Sequence, residues 1–143
     1  MTHENAGHYA AKHPKGAKYN PQVAESIKQK TSAGKIACAA AHKIADDFDM
    51  APAKVGVNID LLEIRLSKCQ LGLFGYGKQK KIKPAISISP ELEKAIKESV
   101  VEGCISCTDC WEAAIKAGCS KLDVSGACET LKIKISPCQL GAF

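Results

Sequence analysis

Apolar residues in this chain recur first with a helical period. Leu92, Ala95, Ile96 and Val100 fall at i, i+3, i+4 and i+8, which predicts a helix over 90–102; 21–33 carries a matching pattern. Each stretch starts on a proline (Pro21, Pro90), whose missing N–H is harmless in a first helical turn. Each ends at a glycine, Gly34 or Gly103, read as the stop. Short extended pieces are expected at 35–37 and 104–106. Second helices should begin near Cys38 and Cys107, the latter behind a Ser106 cap with Asp109 in its first turn. Third helices are expected over 52–62 and 121–131. Beyond them, 63–70 and 132–139 alternate apolar and polar residues, as in Ile64 and Leu66 or Ile133 and Ile135, which is strand periodicity.

These elements come in two matching sets. Shifting the chain by 69 residues aligns 21–74 with 90–143 without a gap, giving 16 identities in 54 positions. Chance gives roughly 3 or 4 at ordinary residue frequencies. The clearest stretch is Ser67-Lys-Cys-Gln-Leu-Gly-Leu-Phe74 against Ser136-Pro-Cys-Gln-Leu-Gly-Ala-Phe143. An internal duplication is therefore expected, with a flexible basic tail at 1–20, one unit at 21–74, a basic wing or linker at 75–89 and a second unit at 90–143. The expected class is α+β.

Between the second and third helices lies a further pattern. Ala114, Gly118, Cys119, Val124 and Leu131 give a small residue for close crossing, a glycine for a left-handed turn, and apolar residues for the next helix. The first unit offers Ala45, Asp49, Met50, Val55 and Leu62, with Asp tolerated at the turn. On these residues, and on the order helix, strand, helix, helix, strand, the chain resembles the winged helix-turn-helix superfamily, taken twice over. That resemblance implies DNA binding by the third helix of each unit and backbone contacts from a wing. It also implies that the first short strand pairs antiparallel with the strand after the third helix, which would bring Cys104 beside Cys138 as a redox pair.

The third helices carry few groups that read bases. Lys54 and Asn58 in the first unit, and Lys121 and Ser125 in the second, are the candidates; neither helix has an arginine. The stretch between the units is richer. The net charge of +5 is concentrated there, because Lys78, Lys80, Lys81 and Lys83 fall within six residues and no acid lies between 75 and 89. Glycines and Tyr76 precede them. Lysine neutralises phosphate and tyrosine stacks on a sugar or base, so these five residues are candidate nucleic-acid contacts; the alternative is a solvated linker. Lys12, Lys15 and Lys18 add to the basic tail, where His3, His8 and His13 are expected in solvent.

Eight cysteines in 143 residues need their own explanation. No apolar leader precedes the first unit, so a reducing cytoplasm is expected, with thiols buried, redox-active or metal-bound. Cys38 matches Cys107 and Cys69 matches Cys138 across the repeat, while Cys119 and Cys128 fall on core positions. Cys104, Cys107 and Cys110 are spaced two residues apart, as in zinc and iron–sulfur loops, but span a strand-to-helix passage. The expectation is no cofactor, with zinc or an iron–sulfur cluster on these three as the alternative. Cys107 near a helix start could also be a redox-sensing thiol.

No phosphate-binding glycine loop or Ser/His/Asp set is present, and no apolar run reaches the ~18–20 residues of a membrane helix. An enzyme and a membrane partner are not expected. Two functions remain. One is a DNA-binding, regulator-like protein with tandem winged helices. The other is a protein-interaction or accessory subunit of a larger redox assembly.

Overall fold

The computed structural model describes residues 7–143, so His3 lies outside the described residues. The first helices, α1 (Pro21–Lys30) and α4 (Pro90–Ser99), are capped by Asn20 and Ser89 side chains that accept first-turn N–H groups. Both end earlier than the glycine signals suggest. Thr31 and Val100 leave the helix, and Ala33-Gly34 and Glu102-Gly103 then take positive φ at both central positions of a tight turn. Ser32 and Lys35 exchange N–H···O bonds of 2.9 and 3.0 Å across it, and Val101 and Cys104 do so at 2.8 and 3.0 Å. The two glycines thus serve a hairpin turn rather than a helix stop.

Each turn delivers the chain into a short strand, β1 (Lys35–Ala37) or β3 (Cys104–Ile105). The second helices follow at once: α2 (Cys38–Asp47) and α5 (Cys107–Ala117). Ser106 caps α5 as expected, accepting from Asp109 N at 3.0 Å. The turns after these helices also form as expected. Gly118 is left-handed at φ 65°, Asp49 takes φ 49°, and Met50 and Cys119 each bond back to Ala45 and Ala114 carbonyls. The third helices are α3 (Pro52–Leu61) and α6 (Lys121–Leu131), the second opened by a Ser120–Asp123 capping box. Strands β2 (Arg65–Ser67) and β4 (Lys134–Ile135) close the two series. The result is a mixed α+β chain of six α-helices and four short strands among the described residues.

Strand pairing departs from expectation. β1 and β2 run parallel, with Ile36 opposite Leu66, and β3 and β4 run parallel, with Ile105 opposite Ile135. Two successive helices carry the chain back to its starting end, a crossover long enough for a parallel pair. Arg65 N and Lys134 N then bond to Gly34 O and Gly103 O, both at 3.0 Å, so the strands start level. Cys104 consequently faces Lys134, not Cys138.

Two compact units result: Met1–Cys69 with Leu140–Phe143, and Gln70–Gln139. The chain from Gln70 onward is thus grouped with the second unit, and only Leu140–Phe143 returns to the first. The first unit's core is Val23, Ile27, Ile36, Ile44, Val55, Ile59 and Leu66; the second's includes Ile96, Ile105, Cys110, Val124 and Cys128. Aliphatic and thiol side chains carry both cores, as the low aromatic content requires. Tyr9 is the one buried aromatic among the described residues. No helix of the described residues is long and apolar enough to cross a membrane.

Candidate nucleic-acid interface

The first unit's third helix is occupied by its own chain. A short 3₁₀ helix, Tyr9–Lys12, opens on the Glu63 carboxylate, which accepts from Tyr9 N at 3.0 Å and Ala10 N at 2.7 Å. A carboxylate at a helix N-terminus satisfies N–H groups that the helix cannot. Asp60, buried on α3, lies 2.7 Å from His13 Nε2 and 3.1 Å from Lys12 Nζ. Asn58 accepts Asn20 N–H at 2.7 Å and donates to Lys54 O at 2.7 Å.

Two expectations change here. From Tyr9 onward the segment expected as a flexible tail is packed on α3, and His13 is engaged rather than solvated. Asn58, expected on an exposed reading face, is buried with its amide committed to backbone. Lys54, one turn earlier, remains exposed.

The second unit covers its third helix with the stretch between the repeats. Ser125 is buried, and its hydroxyl donates to Leu71 O at 2.6 Å. Its expected exposure is corrected for the same reason as that of Asn58. Farther along, Ala85 N donates to Gly126 O at 3.0 Å and Thr130 Oγ1 donates to Ala85 O at 2.8 Å. The chain is thus fastened to α6 at Leu71 and at Ala85. No strand forms between residues 70 and 89, so this stretch is a strap on the second unit and not a wing of the first.

Gly126 is what lets the strap lie so close, since a Cβ there would stand 2.5 Å from Lys83 O. Gly→Ala on an open helix face normally gains up to about 1 kcal/mol. Gly126→Ala is expected instead to lose about 1 kcal/mol or more, because backbone must shift to admit the methyl. A urea midpoint below that of the parent checks this.

Between the two fastenings the strap presents its charge. Lys78, Lys80, Lys81 and Lys83 are all exposed, and none is in an ion pair among the described residues. Tyr76 is half-buried with Lys81 Nζ 5.2 Å from its ring centre. Lys121, at the start of α6, is half-buried over Trp111, 4.4 Å from the ring centre. Four exposed ammonium groups on a fastened loop, one of them over an aromatic ring, can neutralise closely spaced phosphates.

Six of the eight cysteines lie in the second unit. Cys104 is half-buried on β3, while Cys107 and Cys110 are buried in the first turn of α5. The Cys110 and Cys128 thiols hydrogen-bond; that bond and burial push the Cys110 thiol far above the ordinary range, while the bond lowers that of Cys128. Among the described residues no three His, Cys, Asp or Glu side chains form a group able to hold a metal. Burial and the Asp123 charge raise the thiol pKa of Cys119. A raised value means less thiolate at a given pH, so iodoacetamide at pH 8 is expected to label Cys119 more slowly than an unstructured cysteine. Timed alkylation with mass detection measures this.

The covering of α3 has no local signal in the sequence, since Asp60 lies about 100° round the helix from its neighbour Ile59. The covering of α6 has one: Gly126 sits inside a helix that has no other need of glycine, which marks a close backbone approach. No protein-family model, curated protein or solved structure matches this chain.

Proposed function

We propose that this protein binds nucleic acid, DNA in the first instance, through the phosphate backbone. The two units are, on this proposal, a tandem duplication of helix-turn-helix modules without the antiparallel sheet and wing of the winged form, in which the third helix does not read bases. The supporting observation is the exposed lysine series Lys78, Lys80, Lys81 and Lys83, held on a strap fastened at both ends. Lys54 and Lys121 add charge, and Tyr76 offers a ring for stacking. The role is regulator-like and non-catalytic, and no cofactor is required for it. A mixed-sequence DNA duplex titrated from low to physiological salt tests it. Log affinity should fall linearly with log salt, with a slope near −0.9 per phosphate contacted.

A second function draws on a different observation. Ile115 is 80% exposed and Leu122 is 41% exposed, beside Trp111 in the second unit. Apolar exposure of this kind suits an accessory subunit that docks on another protein. Absence of duplex binding even at low salt would favour it.

A further inference from the structure

We propose that Cys107 and Cys138 form a thiol–disulfide exchange site, in which Cys138 takes up a small-molecule disulfide and Cys107 resolves it. The placement comes from hydrogen bonds beyond the paired strands, where the offset moves by one residue from that of the register. Hydrogen bonding continues past β3 and β4: Ser136 N donates to Ile105 O at 2.8 Å, and Cys107 N donates to Pro137 O at 3.0 Å. An amide bonded to the carbonyl just before Cys138 sets the two Cα atoms roughly 5–6 Å apart, inside the ~4.4–6.8 Å that a disulfide spans. Gln139 Nε2 then donates to Cys107 Sγ at 3.4 Å, so the sulfur faces the segment that carries Cys138.

The two thiols differ in a way that divides the work. Cys107 is the first residue of α5, and its sulfur accepts from the Gln139 amide. It is 5% exposed, whereas Cys138 is half-buried and reachable. Cys138 thiolate attacks one sulfur of the small disulfide, whose other half leaves as a thiolate. Cys107 thiolate then attacks the Cys138 sulfur and expels the second small thiolate. Two protein thiols have lost two electrons and two protons, and the small disulfide has been reduced to two thiols.

Other partners are placed less well. Cys110 is fully enclosed with its thiol hydrogen-bonded to Cys128, and Cys104 stands opposite Lys134 at the far end of the strand pair. In the first unit Cys38 and Cys69 hold the corresponding positions, but both are buried and neither offers an entry point.

The full chain is incubated with oxidised glutathione, alkylated, digested and mapped by tandem mass spectrometry. A Cys107–Cys138 crosslink should be the main product. Cys107→Ser should accumulate a stable glutathione adduct on Cys138, and Cys138→Ser should lose at least ten-fold in glutathione uptake. A dominant crosslink from Cys138 to Cys104, or from Cys107 to Cys110, overturns the proposal, as does a Cys107→Ser protein with no adduct on Cys138. The mapping of the parent chain decides this even where a variant folds poorly.

Discussion

Replacing Lys78, Lys80, Lys81 and Lys83 together by alanine is expected to weaken duplex binding by roughly 10²–10³-fold near 0.1 M salt. Each ammonium group that sits on a phosphate releases about one counterion, so four lost contacts remove up to about 3.6 from the salt slope. All four side chains are exposed and away from the cores, so the fold should survive. Lys54→Ala or Lys121→Ala should remove about one contact's worth each. An unchanged slope in the fourfold variant would mean that the strap does not touch the backbone.

Asp60→Ala is expected to have the largest effect on stability, about 2–3 kcal/mol. Asp60 is 1% exposed, and its carboxylate receives both His13 and Lys12. Its removal forfeits two charge-assisted hydrogen bonds and leaves a void on α3. The figure stays below the ~3–5 kcal/mol of a fully buried pair, because both partners retain contact with water. Urea unfolding should show the loss, and trypsin should cut at Lys12, Lys15 and Lys18 at least ten-fold faster than in the parent. Unchanged cleavage would show that Asp60 does not hold the tail.

Local chemistry made much of this fold legible. Helical periodicity, proline starts, the Ser106 cap and the left-handed turns at Asp49 and Gly118 all depend on residues within a few positions of one another, and each forms where expected. Strand direction does not depend on local residues. A stretch such as Ile133 to Ile135 alternates identically in either orientation, and the direction is set by how α5 and α6 return the chain. That is why Cys104 meets Lys134 in place of Cys138.

The candidate interface was legible only as charge. Lysines 78 to 83 announce themselves by density, but nothing in their spacing says that the strap is fastened by Leu71 and Ala85 to α6. Asn58 and Ser125 are small polar residues whose chemistry gives no sign of a backbone partner. Their burial comes from segments far away in sequence: Asn20 lies 38 residues from Asn58, and Leu71 lies 54 from Ser125.

Burial of Asn58 and Ser125 leads to the most direct measurement. Affinities for two DNA duplexes of equal length and unrelated sequence are compared at one fixed salt concentration. Contact through phosphates alone predicts values equal within about threefold for any such pair. A duplex selected from a random pool and bound about 10³-fold more tightly than its scrambled counterpart would contradict it, because that margin requires base reading.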